Sequence, residues 1–248
     1  MARPAKPTAG PGRLIAIGDV HGYALALEQL LRLIDPEPSD RLVFLGDYID
    51  RGPDSRGVIA MLIELATEHP RTIFLRGNHE QALLDWLFGD DDQFLYHGGR
   101  QTIASYLRAA GRRPIDQPLS PRSFEALLPP AHLAFITRTQ LYFETSDCLF
   151  VHAGLDPARG PVLRQACSSL LVGHRDFFYH ARYAKKVVVG HSSTEIFRRH
   201  HPVFLPNGVI MCDTSYARTG VLSAACPRSG ETHQVRHPAP EPADLSEE

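Results

Sequence analysis

The sequence predicts a single-domain α/β fold, and three observations carry that prediction. Apolar runs at 14–17, 42–45 and 72–75 each end in a Gly-containing polar turn and lead into apolar residues at helical spacing, an alternation that calls for a largely parallel sheet. Further short apolar runs between 141 and 224 supply the strands of a second sheet. At 248 residues and 43% hydrophobic, the chain is long enough to bury a substantial core.

In chain order, Leu14-Ile15-Ala16-Ile17 is the first strand, and Leu27, Leu30, Leu31 and Ile34 mark a helix that stops at Asp35-Pro36, where proline disfavours continuation. Leu42-Val43-Phe44-Leu45 opens a second unit, whose helix begins at Asp54-Ser55 and buries Val58, Met61, Leu62 and Leu65. Thr72-Ile73-Phe74-Leu75 opens a third, with a helix from Glu80 through Leu83, Leu84 and Leu87. From 89 to 130 the pattern changes to a helical insertion over one end of the sheet, with helices at 101–110 and near 123–128 separated by a Pro/Gly-rich loop. Runs at 141–144 and 148–151 flank Thr145-Ser146-Asp147 at hairpin spacing. Runs at 187–189, 203–205, 209–212 and 221–224 follow, with Asn207-Gly208 as a hairpin turn. The organisation expected is a disordered segment at 1–12, one domain at 13–226 and a flexible tail at 227–248, rich in proline and charge.

A net charge of −2 gives no general electrostatic reason to bind nucleic acid or anionic membrane. Prolines and glycines replace the apolar core of a signal peptide near the N-terminus, and no run of about 18 apolar residues occurs. The expectation is a soluble, cytoplasmic protein. Cys148, Cys167, Cys212 and Cys226 form no Cys-x-x-Cys pair, which argues against a zinc knuckle or a thioredoxin-like motif.

Five motifs carry chemistry: Gly18-Asp19-Val20-His21-Gly22, Gly46-Asp47-Tyr48-Ile49-Asp50-Arg51-Gly52, Gly77-Asn78-His79-Glu80, His152-Ala153-Gly154 and Gly190-His191. The first three follow the three β-runs directly, so their polar residues sit on strand-to-helix loops, where α/β sheets gather ligands. Together they offer oxygen and nitrogen donors for two metal ions, plus an acid and an arginine for phosphate chemistry. The series resembles the metal-dependent phosphoprotein phosphatases within the calcineurin-like metallophosphoesterases, over residues 14 to 224. The compact length and Gly98-Gly99 followed by Thr102 and Tyr106 are closer to bacterial and phage members of that family than to eukaryotic ones.

The resemblance implies two packed mixed β-sheets flanked by helices. It implies that Asp19, His21 and Asp47 bind one metal and that Asp47, Asn78, His152 and His191 bind the other, with Asp47 bridging. Imidazole, carboxylate and amide donors suit manganese, iron or zinc better than calcium, so manganese, or an iron–manganese or iron–zinc pair, is expected. A metal-bridging hydroxide would attack phosphorus in line. The resemblance makes His79 and Asp50 the catalytic pair, His79 as the acid that protonates the departing alkoxide and Asp50 as the acceptor of its other ring proton. Arg51 resembles the family's phosphate-binding arginine, and Arg175 best matches a second, although Gly173 and His174 depart from the pattern around it. Glu80 is expected to support its loop, and Asp213 to be structural.

The function implied is hydrolysis of phosphoserine or phosphothreonine, and also phosphotyrosine, in proteins or peptides. The alternative is hydrolysis of diadenosine tetraphosphate or a related nucleotide. In those relatives the position of Asp50 is commonly alanine and that of Glu80 aspartate, so this sequence favours the phosphatase. A catalytically silent scaffold predicts loss of a ligand, of His79 or of Arg51, and all are present.

Overall fold

A computed structural model describes residues 12–89, 92–113, 119–174, 176–179 and 182–238. Two five-stranded mixed sheets pack face to face with helices outside them, the architecture the motifs implied. The first sheet contains β1 (Leu14–Ile17), β2 (Arg41–Phe44) and β3 (Ile73–Phe74), joined in parallel by α1 (Ala24–Ile34) and α2 (Ser55–Glu68). From β3 the chain passes directly into α3 (Asn78–Phe88).

Alternation along each strand fixes the layers. Ile15, Ile17, Leu42 and Phe44 face the helices, where they meet Leu27, Leu30, Val58 and Leu62. Leu14, Ala16 and Val43 point the other way, with Leu45 and Leu75, into the seam between the sheets. α1 ends as expected, with Asp35 left-handed at φ 44° before Pro36 and its N–H returned to Leu31 O.

The insertion supplies α4 (Arg100–Ala109) and α5 (Pro121–Glu125), close to the expected spans, and is entered through an irregular turn at Leu95–Gly99. α6 (Pro130–Thr137) follows, a helix the sequence reading did not identify because its apolar residues show almost no one-sided pattern. The second sheet has the order β4-β5-β6-β8-β7. β4 (Tyr142–Glu144) and β5 (Cys148–Val151) form the expected hairpin, and β6 (Lys186–Val189) lies parallel to both β5 and β8 (Val209–Met211). β7 (Val203–Phe204) turns back on β8 through Asn207-Gly208, with Gly208 at φ 93°. α7 (Cys167–Val172) lies between β5 and β6. Cys148 and Cys212 are buried in the seam as small hydrophobes, and all four cysteines are free.

Two expectations need correction. After α8 (Tyr216–Thr219), the run at 221–224 becomes β9 (Val221–Ala225), which leaves the second sheet and pairs antiparallel with β1. Part of the expected tail is also ordered structure: β10 (Thr232–Arg236) pairs with all of β9 at the sheet edge. Its composition is polar because it is an edge strand with half-exposed faces, and its partner rather than its own hydrophobicity holds it. Residues 1–11 of the segment expected at 1–12, and the end of the tail at 239–248, lie outside the described residues. Among the described residues, no helix is long and apolar enough to cross a membrane.

Candidate metal centre

The loops after β1, β2, β3, β5 and β6 converge at the carboxyl ends of their strands. They hold their side chains through unusual backbone: of eight non-glycine residues with positive φ among the described residues, five are His21, Asp47, Asp50, Arg51 and His191. Each such conformation costs on the order of 1–3 kcal/mol, and clusters of them mark functional sites. Close approach also dictates two glycines. A Cβ on Gly77 would lie 2.0 Å from Asp47 Oδ1, and one on Gly190 would lie 2.2 Å from Asp19 Oδ1.

Six predicted donors come together here. Asp47 Oδ2 is 3.6 Å from His21 Nε2, and its Oδ1 is 3.4 Å from His152 Nε2. Asn78 Oδ1 is 2.9 Å from both His152 Nε2 and His191 Nδ1. Asp19 accepts the His191 N–H on both oxygens, at 3.1 and 3.0 Å. Asp47 is common to two donor groups, His21/Asp47/His79 and Asp47/His152/His191, the first of which takes in His79 where the resemblance implied Asp19.

The protonation pattern fits cations between these groups. His152 Nδ1 donates to Leu45 O at 2.7 Å and His21 Nδ1 to Ile49 O at 3.0 Å. Burial, with the charge of His79 and Arg51 adding to it, lowers the pKa of both rings and keeps them neutral. Their Nε2 atoms therefore present lone pairs toward the Asp47 carboxylate, acceptor against acceptor, which a shared cation would resolve. Burial and then His152 push His191 down to about 4. Burial, then the charges of Asp213 and Asp47, raise Asp19 well above the carboxylate range.

A second cluster adjoins this one. His79 Nδ1 lies 2.7 Å from Asp50 Oδ2, both groups buried, and Arg51 Nη2 lies 3.2 Å from His79 Nε2. Because a guanidinium only donates, Nε2 carries a lone pair in this arrangement, and the same atom is where a transferable proton would be held. Burial opposes a charge on His79, but Asp47 and the hydrogen bond to Asp50 outweigh it and raise its pKa.

Glu80 does more than support a helix start. Its Oε2 accepts the Asp47 and Gly77 N–H groups, each at 2.9 Å, and its Oε1 accepts those of Tyr48 at 2.8 Å and Ile49 at 3.3 Å, so it splints the whole Asp47 loop. Asp213 is buried and accepts the Ser215 N–H at 2.6 Å, close enough to Asp19 for its charge to be felt there. Arg175 lies outside the described residues. Sequence reasoning missed Ser55 and the role of Thr102, both of which contact Asp50. Thr102 lies 52 residues from Asp50, which leaves no local pattern to find, whereas Ser55 is only five residues away and reads in the sequence as a helix start.

Two groups of donors that could hold cations, beside a His/Asp pair and an arginine, suit a metal-dependent phosphoester hydrolase. Residues 12–201 match the model of the calcineurin-like phosphoesterases, and the chain belongs to that family, whose members use a binuclear divalent metal centre. Similar solved structures include a provisionally assigned diadenosine tetraphosphatase, at 24% identity over 91% of this chain and 93% of that one, with a TM-score of 0.66. They also include the cold-active protein-tyrosine phosphatase of a psychrophilic Shewanella species, at 18% identity over 92% and 81%, with a TM-score of 0.59. A protein serine/threonine phosphatase from Saccharomyces cerevisiae matches at 20% identity over 94% and 83%, with a TM-score of 0.56. At these identities the likeness shows the fold alone.

Proposed function

We propose that this protein is a phosphoprotein phosphatase that hydrolyses phosphoserine and phosphothreonine monoesters, with phosphotyrosine also within its range. The observation that carries this reading is the buried His79–Asp50 pair at 2.7 Å. A seryl or threonyl alkoxide is a poor leaving group and needs a proton as the P–O bond breaks, whereas the phosphate leaving group of a nucleotide anhydride departs largely without one. A dedicated donor, worth roughly 10²–10⁴-fold, is an asset to the first reaction far more than to the second.

In this reading Asp19, His21 and Asp47 hold one metal and Asp47, Asn78, His152 and His191 the other, with manganese or an iron-containing pair best suited to the donors. Bound there, the cations supply positive charge that draws phosphate oxygens and acidifies water. Arg51 grips the phosphate through its planar fork. His79 delivers a proton from Nε2 to the leaving oxygen while Asp50 holds Nδ1–H and so fixes the ring. Glu80 keeps the Asp47 loop in register.

The test is hydrolysis by metal-stripped protein reconstituted with manganese, comparing phosphoserine, phosphothreonine and phosphotyrosine peptides with diadenosine tetraphosphate by kcat/KM. Preference for the phosphopeptides is expected. Preference for the dinucleotide would overturn the reading in favour of a nucleotide hydrolase on the same fold.

A further inference from the structure

The insertion reaches the site through one buried side chain. Thr102, on α4, places Oγ1 2.6 Å from Asp50 Oδ1, and the same oxygen accepts the Asp50 N–H at 2.9 Å. Ser55 Oγ, at the start of α2, lies 2.9 Å from Thr102 Oγ1 and 3.1 Å from Asp50 N. A threonine hydroxyl has one proton to give and two lone pairs to fill. Here the proton goes to Asp50 Oδ1, and the lone pairs take the Asp50 N–H and the Ser55 O–H, so its capacity is fully used. Thr102, Ser55 and Asp50 all have no exposed surface.

The consequence falls on His79. Asp50 Oδ2 receives the imidazole Nδ1–H and Oδ1 receives the Thr102 hydroxyl, so each oxygen is pinned and the carboxylate cannot turn about its own axis. Thr102 also grips the Asp50 backbone, which sits at φ 72°. The entry to the insertion makes a further tie, the Arg51 N–H donating to Gly98 O at 3.3 Å. Both neighbours of the expected leaving group are therefore referenced to the insertion.

We propose that Thr102 is a positioning residue for the proton-donating His79, acting through Asp50, and that the insertion is a working part of the site rather than a cover over the sheet. The inference rests on the reading of His79 given above. In the step concerned the oxygen of a deprotonated water bonds to phosphorus as the ester P–O bond breaks and the leaving oxygen takes the proton from His79 Nε2, while Thr102 keeps its own proton throughout.

The test separates leaving groups. A seryl alkoxide needs the proton and a dinitrophenolate does not, so Thr102→Val should slow phosphoserine-peptide hydrolysis by the manganese-loaded protein about 10- to 100-fold, the worth of a hydrogen bond to a charged group. Hydrolysis of 2,4-dinitrophenyl phosphate should change little. Thr102→Ser, which keeps the hydroxyl, should recover most of the loss, and a Thr102→Ala/Thr102→Ser pair runs the same comparison if the valine variant does not fold. In zinc-loaded protein the downfield His79 Nδ1–H proton resonance should move in Thr102→Val and stay in Thr102→Ser. Equal loss on both substrates, or no loss on either, overturns the inference. His79→Asn is the reference: if it shows the leaving-group split and Thr102→Val does not, the inference alone fails, whereas absence of the split in His79→Asn removes the proton donor itself.

Discussion

Replacing Asp50 by Asn tests the proton-donor pair directly. An asparagine amide offers one oxygen and one NH2, and with the oxygen turned to His79 its NH2 faces Thr102. Thr102 can accept that NH2 group and turn its own O–H to Ser55 at 2.9 Å, which leaves the buried Ser55 O–H without the acceptor it had. What disappears is the charge. A hydrogen bond to a charged acceptor exceeds a neutral one by about 1–2 kcal/mol, which predicts a loss of roughly 5- to 30-fold in kcat on a phosphoserine peptide. Stability should change little, because relief of the buried Asp50 carboxylate, whose pKa burial raises, offsets the bond that Ser55 loses. His79 should also lose its proton at lower pH, since the Asp50 charge and hydrogen bond are among the contributions that raise it. The basic limb of the kcat–pH profile therefore moves down. Steady-state kinetics across pH, with urea unfolding beside them, supply the readout. An unchanged kcat with an unmoved basic limb would refute the reasoning, and so would a large loss of stability.

Three other predictions follow from the structure. Asp40 is buried and accepts Arg13 Nη2 at 2.6 Å and Nε at 3.0 Å, while the Arg13 side chain is about a third exposed. Arg13→Met should therefore cost about 2–3 kcal/mol at pH 7, below the 3–5 typical of a fully buried pair. Burial would raise the Asp40 pKa but Arg13 and two backbone N–H groups hold it low, so the stability it contributes is present above the ordinary carboxylate range and fades as pH falls; urea midpoints should show wild type and variant converging in acid. His132 is held neutral by burial and then by the Arg56 charge, and its Nδ1 meets Tyr106 OH at 2.9 Å. Its lowered pKa means stability is full above the ordinary imidazole range and is lost as pH falls below it, so His132→Gln should flatten that part of the loss between pH 8 and 5 in urea unfolding. Gly98 sits at φ 95°, and an added Cβ would lie 2.9 Å from Arg51 N. Gly98→Ala should cost about 1–2 kcal/mol in backbone strain and raise KM for phosphopeptides more than it lowers the melting temperature.

The parts of the fold visible in the sequence are those in which neighbours along the chain do the work. β1, β2 and β3 are apolar on both faces because both are covered, and the turns that end them carry the metal-site motifs. Asp54 before α2 and Asp35-Pro36 after α1 mark helix ends by local hydrogen bonding and ring geometry. β10 escaped because an edge strand of Thr, His, Gln, Val and Arg is specified by its partner β9 rather than by its own pattern. α6 escaped because its apolar residues show almost no one-sided pattern along the helix. Glu80 was expected to support its loop, but its grip on four N–H groups depends on where β2 and β3 lie side by side.

By itself the sequence determined the chemistry on offer: which carboxylates, imidazoles, amide and guanidinium stand after which strands, and hence an α/β phosphoester hydrolase. Side-chain type and strand-end position are local properties, and both are written in short stretches of chain. Only the tertiary structure decided that Asp47 stands between two donor groups, that His152 and His21 turn lone pairs toward it, and that Thr102 closes on Asp50 across 52 residues. Those relations depend on how separate strands and helices pack, because a hydrogen bond near 3 Å is fixed by the positions of two backbones and not by the sequence between them.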